Sequence, residues 1–254
     1  MKSIIALANQ KGGVGKTTTS INLSTALAAA GQKVLLIDLD PQANTSTGLG
    51  IGPSDRLKNS YTLLVGENNM SEVIINTSIP GLSIIPSSID LISAEIELIE
   101  LKDRDKILKT SLEPYENFFD YVIIDCPPSM GILSLNALVA AKHVIIPLQC
   151  EYYALEGLSY LLNSIQKIKK TANKDLDLLG VVLTMFDKRN SLNRLVEEDV
   201  RTHLKGKVFE SVIPRNVRVS EAPSHGKPVL IYDIKCQGSS AYMNLAKEVL
   251  QKTK

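Results

Sequence analysis

Five short stretches of the chain are apolar without a break: IIALA at 4–8, VLLI at 34–37, YVII at 121–124, VII at 144–146 and GVVL at 180–183. A strand with one wet face would alternate apolar and polar positions. These runs instead predict strands covered on both sides, the condition of a parallel sheet between helices. The segments between them change period. Residues 17–30 are rich in alanine and leucine and stop at Gly31, which suits the left-handed position just past a helix. Residues 88–101 set Ile92, Ile96 and Ile99 on one stripe with Glu95 and Glu97 off it, the pattern of an amphipathic helix packed on a core. Further helices are expected at 155–170, 192–204 and 240–252. Strand and helix alternate nearly throughout. That predicts one α/β domain over residues 1–254, a doubly wound, mostly parallel sheet with helices on both faces and right-handed crossovers. Only 41–86, rich in Gly, Asn, Ser and Pro, lacks a clear period; loops and short helices are expected there, near the functional site.

Composition narrows the class. The chain has 254 residues, 44% of them hydrophobic, enough for a large single core. Its net charge of +1 excludes a molecule that binds polyanions over its whole surface, so any basic face is local. Cys126, Cys150 and Cys236 are scattered and form no C-x-x-C pair, which fits small apolar residues in a reducing cytoplasm rather than a disulfide or zinc framework. The apolar run at 4–8 is too short for a signal peptide, and no run reaches the length of a membrane span.

The strongest chemical signal is NQKGGVGKTTTS at 9–20, which follows a predicted strand and opens a predicted helix. That context belongs to a phosphate-binding loop. Gly12, Gly13, Val14 and Gly15 would turn backbone N–H groups toward a polyphosphate, and the helix N-terminus would add its positive end. Lys16 would reach the β- and γ-phosphates, Thr17 would ligate Mg²⁺, and Thr18 is placed for the α-phosphate. Gln10 stands where the usual pattern has its first glycine, and a second lysine, Lys11, precedes the bare glycines. A second protein backbone could come close to such a surface, and Lys11 is placed to reach out of its own site into a facing one.

Carboxylates stand at two predicted strand ends. Asp38 and Asp40 precede Pro41, which halts the strand at the edge where ligands bind in such folds. YVIID ends in Asp125, the form of an acid that holds Mg²⁺ through water, and Pro127-Pro128 forces an extended exit behind it. Pro214 ends an apolar segment at the same edge.

KGGVGKTT matches the deviant Walker A sequence of the ParA/MinD/Mrp class of P-loop ATPases. LLIDLDPQANTSTGLG (35–50), YVIIDCPPSMG (121–131), VIIPLQCEYYALEGL (144–158) and VIPRNVRVSEAPSHGKP (212–228) resemble the chromosomal ParA proteins, also called Soj. The blocks span the chain. The resemblance implies an ATPase that uses ATP and Mg²⁺ and is slow when alone, with Lys11, Lys16 and Asp40 in catalysis. Lys11 would cross a face-to-face homodimer to the partner's nucleotide, with Gly12 at the contact. Asp40 would orient the attacking water or join the Mg²⁺ shell. Pro214 and Asn216 would border the adenine. The implied partners are non-specific double-stranded DNA of the nucleoid and a ParB-type centromere-binding protein that accelerates turnover.

Charge supports a local DNA face. Residues 185–235 hold ten basic and seven acidic residues, whereas 86–120 hold four basic and nine acidic ones. Charge alone equally fits ordinary solvated surface; the family resemblance, with their loop positions, implies Arg189, Arg215, Arg218 and Lys227 as the candidate phosphate contacts, with no aromatic stacking to add base readout. The rival is a MinD-like membrane-associated ATPase, which would need a free amphipathic tail. The segment 240–252 instead spaces Tyr242, Leu245, Ala246, Val249 and Leu250 for packing on the domain, so no membrane partner is expected.

Overall fold

A computed structural model describes residues 3–254. Seven strands form one sheet: β1 (Ser3–Leu7), β2 (Val34–Asp38), β3 (Ile75–Asn76), β4 (Leu82–Ile85), β5 (Tyr121–Asp125), β6 (His143–Gln149) and β7 (Asp177–Thr184). Their order is β3-β4-β2-β5-β1-β6-β7, and every pairing is parallel except that of the short edge strand β3 with β4. The helices are α1 (Lys16–Ala29), α2 (Asn44–Gly48), α3 (Ser60–Leu64), α4 (Met70–Val73), α5 (Leu91–Glu97), α6 (Ile107–Leu112), α7 (Ile132–Ala140), α8 (Ala154–Thr171), α9 (Ser191–His203), α10 (Val217–Glu221), α11 (Val229–Tyr232) and α12 (Gln237–Lys252).

The unbroken apolar runs have the expected cause. In β2, Val34 and Leu36 join the core under α1 and α12, while Leu35 and Ile37 join the core under α3 to α9. Successive side chains of a strand point to opposite faces, and here both faces are dry. α1 ends as its sequence predicts: Gly31 has φ 80°, Gly31 N–H donates to Ala28 O at 2.9 Å and Gln32 N–H to Leu27 O at 3.1 Å. α12 lies against α1 with Tyr242, Leu245, Ala246 and Val249 buried, so its apolar face is spent on the core. No helix among the described residues is long and apolar enough to cross a membrane.

Two expectations need correction. Within 41–86 the structure has the expected short helices but also β3 and β4; the four-residue LSII at 82–85 is too short to announce itself against its Gly- and Ser-rich flanks. The helix around 88–101 turns its other side inward. Leu91, Ala94 and Leu98 fill the core, while Ile92, Ile96 and Ile99 face outward. The segment carries two apolar stripes of the same period, and periodicity alone does not rank them.

Parallel pairing gathers the strand ends. Leu7 and Asp38 both lie in register with Asp125, so the loop after β1, the acid of β2 and the acid of β5 meet at one edge.

Candidate active site

The loop after β1 is held from both sides before any ligand arrives. Asn9 Nδ2 donates to Pro147 O of β6 at 2.7 Å, and Thr184 Oγ1 at the end of β7 donates to Val14 O at 2.8 Å. Gly13 (φ 74°) and Gly15 (φ 87°) take left-handed backbone that a side chain would oppose. α1 starts directly after Gly15 with no acidic residue in its first turn, which leaves its positive end for an anion.

Lys16 is only 7% exposed, and its amine donates to Lys11 O at 3.3 Å across the loop. Burial lowers its pKa, while Asp125 and Asp40 pull the other way. Asp125 accepts from Thr17 Oγ1 at 2.9 Å, Ser20 Oγ at 2.9 Å and Thr45 Oγ1 at 2.6 Å. Burial nonetheless raises its pKa. Asp38, fully buried in the neighbouring strand, is pushed up to about 7, first by burial and then by Asp125. It accepts from Ser46 N–H at 2.9 Å, Ser46 Oγ at 2.7 Å and Asp40 N–H at 3.2 Å.

These groups fit Mg²⁺. The hydroxyls of Thr17 and Thr45 converge on the Asp125 carboxylate, a set of hard oxygen donors. Mg²⁺ needs one or two such groups when phosphate oxygens and water complete its octahedron. A cation there would also relieve the two raised carboxyls.

A cleft of about 400 Å³ opens beside the loop. Gly12, Gly13, Gly15, Lys16, Thr17 and Thr18 line it, Asp40 stands at one side, and Pro214, Arg215 and Asn216 form the far wall. Asn216 Oδ1 caps α10 by accepting from Arg218 N–H at 2.9 Å, which leaves its NH₂ group for a ligand. Val14 is buried beneath the loop and contributes backbone. The sequence-predicted nucleotide residues thus come together in one place.

Lys11 and Gly12 sit at the rim. A Cβ added to Gly12 would meet nothing within 4 Å, so that face is bare. Lys11 does not point away from its own chain here. Its amine is ion-paired with Glu151, at the end of β6, with both side chains about half exposed. Glu151 was not legible from sequence because 140 residues separate it from Lys11. Asn9, Thr45 and Ser46 lie inside the quoted blocks but their contacts are not encoded there, and Ser87 and Thr184 are not legible because a lone hydroxyl beside a strand end carries no motif.

The four basic candidates are not equivalent. Arg189 is paired with Asp187, at 3.0 Å and 2.9 Å, and holds that carboxyl down at about 2. Arg218 is paired with Glu221 at 2.9 Å. Lys227 is exposed. Arg215 lines the cleft beside Pro214 and Asn216.

A family model described as an AAA domain matches residues 2–178. The chromosome partitioning protein ParA of Caulobacter vibrioides is 54% identical over 251 residues, 98% of this chain and 94% of that protein. The sporulation initiation inhibitor protein Soj of Bacillus subtilis is 51% identical over 249 residues, 98% of both chains. Among solved structures, a cobyrinic acid a,c-diamide synthase from Mycobacterium smegmatis with a bound ATP analog and magnesium superposes with a TM-score of 0.86 at 38% identity. It covers 98% of this chain and 94% of its own. With its deviant phosphate loop, its acids at the ends of β2 and β5, and these relatives, the chain belongs to the ParA/Soj family of chromosome-partitioning ATPases.

Proposed function

We propose that the protein segregates a replicon by cycling between a DNA-bound ATP dimer and a free monomer, and that residues 1–254 act as one ATPase domain in the cytoplasm, associated with the nucleoid. Its activity is hydrolysis of ATP with Mg²⁺. The observation that carries the dimer reading is the bare rim of the cleft, where Gly12 leaves open space and the Lys11 amine is held by a half-exposed ion pair.

Lys16 and the loop N–H groups bind the β- and γ-phosphates, and Asn216 and Pro214 border the base. Thr17 and Asp125 would hold Mg²⁺, Asp125 through water, and the ion would supply charge neutralisation at the phosphate oxygens. Asp40 orients the attacking water. Lys11 leaves Glu151 and crosses to the γ-phosphate of the second protomer, so only the triphosphate supports the pair. Hydrolysis removes that partner and the dimer loosens. Catalysis of this kind is mostly positioning and charge stabilisation, which suits a slow basal rate that a ParB-type protein raises.

Pairing explains why DNA binding should follow ATP. Each phosphate neutralised contributes about −0.9 to the slope of log K against log salt. If one protomer neutralises about three, the dimer neutralises about six, and its second half binds at high effective concentration. Arg218, Lys227 and Arg189 are the contacts, after Arg189 and Arg218 leave their carboxylate partners. Gel shifts at fixed salt with ATP, ADP and no nucleotide test the cycle: a shift with ATP alone is expected, and equal binding in all three would refute it.

A further inference from the structure

The outward face of α5 is apolar where a solvated helix face would be polar. Ile92 and Ile96 on α5, Ile89 just before it and Ile99 in the 3-10 turn Leu98–Glu100 that follows are 52–72% exposed, and Leu101, in extended backbone beyond, is 47% exposed. Their spacing of three and four residues makes them neighbours along one stripe. Isoleucine is a poorer helix former than the lysine, glutamate or glutamine that usually fills such positions, so local stability does not explain the stripe. The patch is on the order of several hundred Å², the size of the largest apolar patch on a typical monomer, which is often functional. The core already takes Leu91, Ala94 and Leu98 from the other side of the same segment, so the stripe is left over from folding.

Charge indicates what would cover it. Residues 88–101 contain Asp90, Glu95, Glu97 and Glu100 and no lysine or arginine; the one basic group against the stripe is Arg104, whose guanidinium donates to Ile99 O at its end, among the described residues. None of these four acids forms a salt bridge among the described residues. An apolar stripe edged by unpaired carboxylates complements a segment with aliphatic anchors at helical spacing and lysine or arginine beside them.

The position of α5 would let docking reach the chemistry. Ser87, fully buried, lies just ahead of the stripe. Its Oγ donates to Asp40 O at 2.6 Å, and its N–H donates to Ser46 Oγ at 2.9 Å. Ser46 in turn donates to Asp38, which accepts from Asp40 N–H. The peptide of Asp40 is thus gripped from both sides, once from Asp38 and once from Ser87. At the far side of α5, Glu95 lies so close to Gly131, in the stretch leading out of Asp125, that a Cβ there would come within 2.5 Å of its Oε1.

We propose that the isoleucine face of α5 is the docking surface for a cationic amphipathic segment of a partner protein, and that Ser87 transmits docking to Asp40. The proposal rests on the partitioning reading, in which a partner accelerates hydrolysis. Ile96→Asp tests the surface, because Ile96 is 72% exposed and its replacement leaves the core intact. ATP turnover is measured with DNA, with and without the ParB-type protein of the same genome, beside the dimer mass with a non-hydrolysable ATP analogue. The expected result is at least a tenfold rise in the concentration of ParB-type protein for half-maximal stimulation, with basal rate and dimer mass unchanged. Wild-type stimulation of the variant would overturn the docking face. Loss of the dimer would overturn it too, assigning the stripe to a second copy of this chain. A wild type that is not stimulated at all would overturn the partitioning reading and this inference with it. Ser87→Ala should keep the affinity for the ParB-type protein, read by fluorescence anisotropy, and lose most of the maximal stimulation; full stimulation would overturn the route through Ser87.

Discussion

Glu151→Gln should tighten the nucleotide-dependent dimer. In the free protomer Lys11 is engaged by Glu151 of its own chain, and in the proposed dimer it would have to leave before it could cross. The two side chains are 49% and 44% exposed, so the pair belongs to the weak, partly screened class. Such a pair contributes ~0.5 kcal/mol. A dimer breaks two of them, which is ~1 kcal/mol, or ~5-fold in the dimer dissociation constant. Glutamine keeps the shape and removes the charge, so the variant should dimerise ~5-fold more tightly with a non-hydrolysable ATP analogue. The gain should shrink as salt is raised, because the lost attraction is itself screened. Sedimentation velocity over a range of protein concentrations, at low and high salt, measures both effects. A dimer that is weaker in the variant would show that Glu151 works within the pair rather than against it. An unchanged dimer would show that the contact carries no energy. Either result refutes the reasoning.

Other expectations follow from the same geometry. The Cβ of Gly12→Val meets no atom of its own chain within 4 Å, so the melting temperature should stay within about 2 °C of the wild type while the ATP-dependent dimer is lost; gel filtration with the analogue checks this, and a retained dimer would contradict it. Asp38 keeps its proton in the folded state up to about pH 7, whereas the unfolded chain gives it up near the ordinary aspartate value. Folding therefore binds a proton in that window, and stability falls as pH rises through it. Metal-free wild type should gain stability relative to Asp38→Asn between pH 7 and pH 5 in thermal melts, and parallel curves would contradict the assignment. Replacing Arg218 and Lys227 together by alanine should reduce the salt slope of DNA binding by about 3.6 for the dimer, from four lost phosphate contacts. An unchanged slope would remove both residues from the DNA face.

Much of the site could be read from the sequence because motif and context coincide there. The glycines and Lys16 lie between a buried strand and a helix, and YVIID ends in its acid, so local pattern and position in the fold give the same answer. The strands were readable because dry faces on both sides leave no polar position in β1, β2 and β5 apart from Ser3 and the terminal acids. What escaped notice depends on long-range contacts. Thr45, Ser46 and Ser87 act through hydrogen bonds that reach across 80, 8 and 47 residues, and no local period encodes such pairings. The face of α5 escaped because Leu91, Ala94 and Leu98 repeat with the same spacing as the isoleucines, and only the sheet beneath decides which stripe is buried. The basic candidates rest on charge, loop position and the family resemblance, none of which shows that Arg189 and Arg218 already hold carboxylates or that Arg215 lines the cleft.

The reciprocal exchange of one lysine is tested most directly with Lys11→Ala. The variant is loaded with a non-hydrolysable ATP analogue, nucleotide occupancy is verified, and molar mass and plasmid binding are measured on the same sample. The account predicts full occupancy, a monomer and no retained plasmid, beside a wild type that is dimeric and bound. A loaded Lys11→Ala protein that is dimeric and holds plasmid as the wild type does would contradict it.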